Sequence, residues 1–422
     1  MTTTSTRFDH VACLGCGCVC DDLTVTVRGA RIASVANACP LGDAWFGKGL
    51  SSSAVLVDGS KALPNRAMER AKEILQSARA PLVYLGTDLT LEAYREAIAI
   101  ADLLRARLDS PASDTVAGGI LAAQVRGRAG ATLGELVNRA DLVLFWGIDP
   151  EECYPRFASR YALAPRGVAT PRGRASRTVV SVDVGAARGP AEADLRVLLD
   201  PPVEIAAIGF LRALVQDRPV GALPSGLDGV PGLAERLRKA KYAALVHDAE
   251  PSSLPTNPLR AEALIALVQA LNGPTRAVLV SLRAGGNRNA AEAVTTWQTG
   301  FPFGVDYSRG APHYRPEEST ATLLGRGLVD AVLLAGSPAG LPPGLADQLA
   351  RVKVVAIGPG AASLGKVAVA MDTGTAGIHE SGTAYRMDDV PLPLQSLIGE
   401  AREARATLAA LCGVLPRRAA AG

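Results

Sequence analysis

Residues 132–147 read TLGELVNRADLVLFWG: a stretch of helical period, then an almost unbroken apolar run closed by glycine. A strand with no polar face is covered on both sides, as in parallel sheets flanked by helices. The alternation extends outward. Upstream lie NRAMERAKEILQSA (65–78, helix), APLVYLG (80–86, strand) and TLEAYREAIAIADLLRA (90–106, helix). Downstream come the strand TVVSVDV (178–184), the helix EIAAIGFLRALVQ (204–216), a Pro/Gly-rich linker over 218–232 and the strand KYAALVH (241–247). LRAEALIALVQALNG (259–273, helix), RAVLVSL (276–282, strand) and the unit DAVLLAG, GLADQLARV, KVVAIG (330–358) complete the series. Strands alternating with helices at this pace predict parallel βαβ units in two Rossmann-like regions. Within the first of these, RFASRYALAPRGVATPRGRASR (156–177) reads as a long surface loop, rich in Arg, Gly and Pro.

With 422 residues the chain exceeds the size at which one core stops growing. The expected division is 1–52, 53–235 and 236–422, the first part being cysteine-rich with a β-hairpin over DLTVTV and RIASVAN (22–37). Aromatics are only 4% of the chain, so its cores rest on Ala, Val and Leu. A formal charge of +3 without a basic block argues against a nucleic-acid partner. No apolar run approaches the roughly 18–20 residues that span a bilayer, and MTTTSTRFDH has no apolar signal core. The expectation is a soluble, cytoplasmic protein with no membrane partner.

Five of the seven cysteines lie between positions 13 and 39, in CLGCGCVCDD (13–22) and NACPLG (37–42). Cys13, Cys16 and Cys20 give C-x2-C-x3-C, and Cys39 is a distant fourth. Four such thiolates suit a [4Fe–4S] cluster, with Cys18 extra. A four-thiolate zinc site tolerates similar spacing, and free cysteines in a reducing cytosol are the third reading.

This segment ahead of a doubly wound body resembles the molybdopterin-dependent oxidoreductase superfamily. Three long blocks, 132–161, 286–319 and 377–394, are similar to the B subunit of formylmethanofuran dehydrogenase, and the resemblance spans essentially the whole chain. It implies a molybdopterin-oxidoreductase-like α/β body without the C-terminal β-barrel of related single-chain enzymes. It also implies a [4Fe–4S] cluster and a tungsten or molybdenum bis-pterin guanine dinucleotide that interconverts carbon dioxide and formate. Ligands in such sheets sit at the carboxyl ends of strands, here carrying GIDPEE (147–152), LRAGGNRNA (282–290) and AGSPAG (335–340). The family's pterin site maps onto Asn287, Arg288 and Asn289, and onto Glu380, Gly382, Thr383, Tyr385 and Arg386. Each has a structural alternative. Asn287 suits a turn that caps a helix, Asp149 suits a cap in GIDP, Arg386 suits a pair with Asp388 or Asp389, and His313 suits a loop surface.

One segment departs from the family. Redox-active members carry D-x-A-S-V-C-H-G-P, whose Cys or selenocysteine ligates the metal and whose His follows. In DSPASDTVAGGI (109–120) that pattern puts Thr115 on the ligand and Val116 on the His. A protonated hydroxyl is a hard, weak donor that cannot replace a thiolate, and Val moves no proton. No Cys lies between Cys39 and Cys153, and no His between His10 and His247, to take over. The chain also shows no Ser–His–Asp spacing and no P-loop. The resemblance then points to the family branch in a formyltransferase/hydrolase complex of one-carbon metabolism. There an amidohydrolase-like A subunit, a C subunit and a formyltransferase D subunit pass a formyl group from formyl-tetrahydromethanopterin to methylofuran and on to formate. The expectation is a non-redox structural subunit lacking the bis-pterin. The alternatives are a genuine tungsten or molybdenum formylmethanofuran dehydrogenase subunit and an Fe–S electron-transfer module.

Overall fold

Local signals set the helix boundaries. Helix Leu91–Leu104 begins where the Thr90 hydroxyl accepts the Ala93 N–H at 3.2 Å, and stops where Arg105 turns left-handed with φ 51°. It buries Ala93, Tyr94, Ala97, Ile98 and Ala101 in the core that also holds Val83 and Leu85 of strand Pro81–Leu85. In helix Leu133–Arg139, Thr132 Oγ1 accepts from Glu135 N, and Glu135 Oε2 accepts from Thr132 N in return. Such a reciprocal cap is worth about 1 kcal/mol and fixes the start of the helix that leads into strand Leu142–Trp146, every residue of which is buried.

The computed structural model describes residues 5–49, 53–250 and 258–418. Contacts divide the chain into two units, Met1–Thr115 with Gly285–Arg386 and Pro391–Gly422, and Val116–Ala284 with Met387–Val390. This discontinuous division differs from the consecutive boundaries expected at 52/53 and 235/236. Its physical cause is strand pairing: Pro81–Leu85 lies beside Ala331–Ala335, so early and late segments share one sheet. Residues 1–4, 50–52, 251–257 and 419–422 of the expected domains lie outside the described residues.

The first unit holds a nine-stranded sheet whose central strands, Arg107–Asp109, Pro81–Leu85, Ala331–Ala335, Lys353–Gly358 and Val369–Asp372, run parallel in that order. Short antiparallel strands extend it at both ends. A separate antiparallel sheet joins Ser5–Val11, Leu23–Arg28 and Arg31–Ala36, with Arg28 opposite Arg31 at the turn. The second unit holds a five-stranded, all-parallel sheet in the order Leu195–Leu199, Thr178–Val184, Leu142–Trp146, Tyr242–Asp248, Arg276–Leu282. No helix among the described residues is long and apolar enough to cross a membrane.

Residues 156–177 are a largely irregular, partly exposed segment, as expected, but one folded around a buried side chain. The buried Arg177 guanidinium donates to the carbonyls of Leu163, Pro165 and Val137 and to the Thr170 hydroxyl. A π-helical turn at Ala158–Ala162 and a 3-10 turn at Gly173–Ser176 fold the segment around that cation. Five fixed donors on one planar group give an Arg the reach to organise several loop carbonyls at once.

In the first unit, three glycines let strand ends touch. A Cβ on Gly358 would lie 2.4 Å from the Gly336 carbonyl, and one on Gly86 would lie 2.8 Å from Gly336 Cα. Gly358→Ala should therefore cost more than about 3 kcal/mol in denaturant unfolding. Gly209→Ala, in helix Glu204–Val215 with nothing within 4 Å of its Cβ, should instead gain about 0.5–1 kcal/mol.

Candidate functional site

The segment that departs from the family closes on itself. Asp109 ends strand Arg107–Asp109, and residues Ala112–Thr115 make one helical turn. Thr115 Oγ1 donates to the Pro111 carbonyl at 2.8 Å, so its hydroxyl is spent within the turn, and Val116 is buried. Asp109 Oδ2 accepts from Ser113 Oγ at 3.0 Å, Thr320 N at 2.8 Å and Thr320 Oγ1 at 2.7 Å. Its Oδ1 is buried without a hydrogen-bond partner, as is the hydroxyl of Tyr84, directly opposite on the neighbouring strand. Burial outweighs the three hydrogen bonds and pushes the Asp109 carboxyl up to about 6.

The residues mapped onto a pterin site make bonds within the first unit. Asn287, fully buried, precedes helix Arg288–Thr299 but does not cap it. Its Nδ2 donates to the carbonyls of Leu89 and Thr383, each at 3.0 Å, and its Oδ1 accepts from Tyr385 N at 2.9 Å. Arg288 Nε donates to the Gly285 carbonyl and Asn289 Nδ2 to the Arg386 carbonyl. Thr383 donates through its N–H and its hydroxyl to the two oxygens of Glu92, at 3.0 and 2.8 Å. Gly382 is required beside them, since a Cβ there would meet Glu92 Oε2 at 2.5 Å. Glu380 accepts from Ala404 N, Arg405 N and Thr90 Oγ1, capping helix Ala404–Val414, and burial pushes its carboxyl up. His379 accepts the Thr375 N–H at Nδ1, which leaves Nε2 to donate to the Gly49 carbonyl; burial pushes its pKa down. Arg386 is buried, with Cys18 in its electrostatic field.

Parallel sheets bind nucleotides where strand order reverses. In the second unit that point lies between Leu142–Trp146 and Tyr242–Asp248, and the chain's own side chains occupy it. Glu204 Oε1 accepts from Arg260 Nε at 2.7 Å and Trp146 Nε1 at 2.8 Å, both partners buried, and the Tyr154 hydroxyl donates to Asp248 Oδ1 at 3.2 Å. Asp149 caps the short helix Pro150–Cys153 through the Glu151 N–H. In the first unit the reversal lies between Pro81–Leu85 and Ala331–Ala335, where the Gly86 and Gly336 backbones meet and buried Asp88 accepts from Ser337 N at 2.9 Å. His313 lies half-buried in strand His313–Tyr314 rather than at a loop surface.

Cys13, Cys16, Cys18 and Cys20 are buried and Cys39 is half-exposed. Burial, then the neighbouring Cys16, Cys20 and Cys39, push the Cys13 thiol up to about 12. Gly15 N–H donates to Cys13 Sγ at 3.3 Å, a Cβ on Gly15 would strike the Leu41 carbonyl at 2.6 Å, and Gly42 packs beside Cys13 Sγ. Closely spaced cysteine thiols are the donor type that a four-thiolate cluster takes. Among the described residues no three His, Cys, Asp or Glu close on a single-ion position.

One constellation escapes sequence spacing. His247 and Ser281 face each other across the second unit's sheet, with Nε2 and Oγ 2.8 Å apart, beside Arg128. Only strand register reveals this pair.

No family model matches the chain. It is 32% identical over 407 residues to the B subunit of tungsten-containing formylmethanofuran dehydrogenase 2 of Methanocaldococcus jannaschii, covering 92% of this chain and 93% of that one. It is 30% identical over 292 residues to the B subunit of the formyltransferase/hydrolase complex Fhc of Methylorubrum extorquens, covering 68% and 76%. Among solved structures, a chain of the Methylorubrum extorquens formyltransferase/hydrolase complex, crystallised with methylofuran, matches with a TM-score of 0.72. Its identity is 25%, over 85% of this chain and 98% of that one.

The Asp109 environment has a measurable consequence. A carboxyl whose folded pKa is about 6, against an ordinary 3.8, stabilises the fold in its protonated form. That stability is complete below about pH 4 and disappears as pH rises through about 6, up to about 3 kcal/mol in all. Asp109→Asn should flatten this part of the pH profile in chemical unfolding between pH 4 and 7. An unchanged slope would refute it.

Proposed function

The chain belongs to the B-subunit family of formylmethanofuran dehydrogenases, and from that membership we propose that it is a non-redox, structural B subunit of a formyltransferase/hydrolase complex. In this reading it carries no tungsten or molybdenum bis-pterin, and the formyl transfer and hydrolysis occur on an amidohydrolase-like A subunit and a formyltransferase D subunit, with C completing the assembly. The observation that carries the reading is Thr115, whose hydroxyl donates to the Pro111 carbonyl at a position where a soft thiolate is needed, with buried Val116 where a proton carrier is needed.

Several of the points where the family would hold a bis-pterin are taken up by the chain's own contacts. Asn287, Glu380 and Thr383 are consumed by internal hydrogen bonds. The Arg260–Glu204 pair and Tyr154 fill one strand-order reversal, and the Gly86–Gly336 contact closes the other. Cys13, Cys16, Cys20 and Cys39 would hold a [4Fe–4S] cluster, leaving Cys18 outside the ligand set. Such a cluster supplies one-electron chemistry when bound. The chain's own part is to shield it: the Gly15 N–H donates toward Cys13, and Gly42 packs beside it.

The second reading is a genuine metal-pterin subunit. Its support is the longer match to the tungsten-named relative, 92% of the chain against 68% for the Fhc relative. Metal and pterin analysis of the complex purified without oxygen separates the two. We expect iron and acid-labile sulfide, sub-stoichiometric tungsten and molybdenum, and no released guanine nucleotide. Stoichiometric tungsten or molybdenum with formate-linked dye reduction would establish the second reading instead.

A further inference from the structure

Between Cys153 and Val182 the chain carries six arginines and no Asp or Glu, although its overall formal charge is only +3. Several of these cations serve the segment itself. Arg177 is the buried one, Arg174 pairs with Asp194 at 3.0 Å, and the Arg160 guanidinium lies over the Tyr161 ring. Arg166 and Arg172 differ: both are exposed, and neither side chain has a hydrogen-bond or ion-pair partner among the described residues. Between them in sequence stands Val168, 88% exposed.

The loop that carries these three side chains is held firmly. Gly167 and Thr170 exchange both backbone hydrogen bonds, at 3.2 and 3.1 Å, so Val168 and Ala169 form the tip of a tight turn. Asn138, in helix Leu133–Arg139, ties that tip down: its carbonyl accepts the Ala169 N–H at 2.8 Å and its side chain accepts the Val168 N–H at 3.3 Å. A Cβ on Gly167 would strike the Val137 carbonyl, so this arm lies directly on the helix end. The Arg177 guanidinium grips both arms, through the Pro165 carbonyl at 2.6 Å and the Thr170 hydroxyl at 2.9 Å. A buried cation thus fixes the shape of a turn whose outer residues are one apolar side chain and two unpaired charges. A surface ordered before binding loses little conformational entropy on association.

We propose that this turn docks onto an acidic patch of another subunit of the complex, where carboxylates pair with Arg166 and Arg172 and an apolar recess takes Val168. Arginine suits such a contact because its planar fork matches a carboxylate in two hydrogen bonds and is weakly hydrated. Acids of this chain do not take up the two cations. Helix Leu133–Arg139, beneath the tip, carries one acid, Glu135, which pairs with Arg139, and Asp194 pairs with Arg174. A nucleic acid is a poorer match, since its affinity comes from many phosphate contacts and this turn offers two free cations. The inference rests on the multi-subunit part of the function proposed above and not on whether a metal-pterin is bound.

The test compares the tagged full chain, purified with its partner subunits from cells that make them, with the isolated chain. Phenylglyoxal labels accessible arginines, and mass spectrometry should find Arg166 and Arg172 at least about tenfold slower to react in the complex. The double variant Arg166→Glu, Arg172→Glu should keep its unfolding midpoint, since both residues are exposed, and bind its partners at least about thirtyfold more weakly. Arg166→Lys treated with a carbodiimide should cross-link to an Asp or Glu of another subunit. Equal labelling in both states, undiminished association of the double variant, cross-links to no other subunit, or association lost on nuclease treatment would each overturn the docking surface and leave the complex standing. A chain that purifies without any other subunit would overturn both.

Discussion

A single buried carboxamide holds the first unit's loops in place. Asn287 offers two donors and one acceptor to three backbone groups, on Leu89, Thr383 and Tyr385. Backbone groups buried without partners cost about 1–3 kcal/mol each, so this side chain spans segments that could not otherwise pack. The turn after strand Pro81–Leu85, the hairpin strand Gly382–Tyr385 and the start of helix Arg288–Thr299 all converge on it. Gly382, Thr383 and Glu92 extend the same junction, and Glu380 ties it to the C-terminal helix.

These are the residues by which the chain resembles a cofactor-binding family. Their polar atoms hold backbone to backbone, and the Thr115 hydroxyl is bonded within its own turn. The cysteine segment is a different case. Cys13 lies in the electrostatic field of Cys16, Cys20 and Cys39, with Gly15 and Gly42 packed close to it.

Much of the fold was legible in local pattern. TLGELVNRADLVLFWG reads as helix and buried strand because the Thr132–Glu135 cap and the apolar run are both short-range. What escaped was long-range. Asn287 reads as a cap or a ligand, since its partners lie 198 and 96 residues away. Within residues 156–177, nothing local marks Arg177 as the cation that folds the segment. The divided units escaped because strand pairing, not chain order, sets them. His247 and Ser281 escaped because only the register of adjacent strands brings them together.

Residues that resemble a cofactor site thus serve the fold, and equilibrium unfolding of Asn287→Ala tests that claim most directly. The expected result is a loss of about 2–3 kcal/mol, from one buried and two half-buried backbone groups left without partners. Stability within about 0.5 kcal/mol of the parent would contradict it.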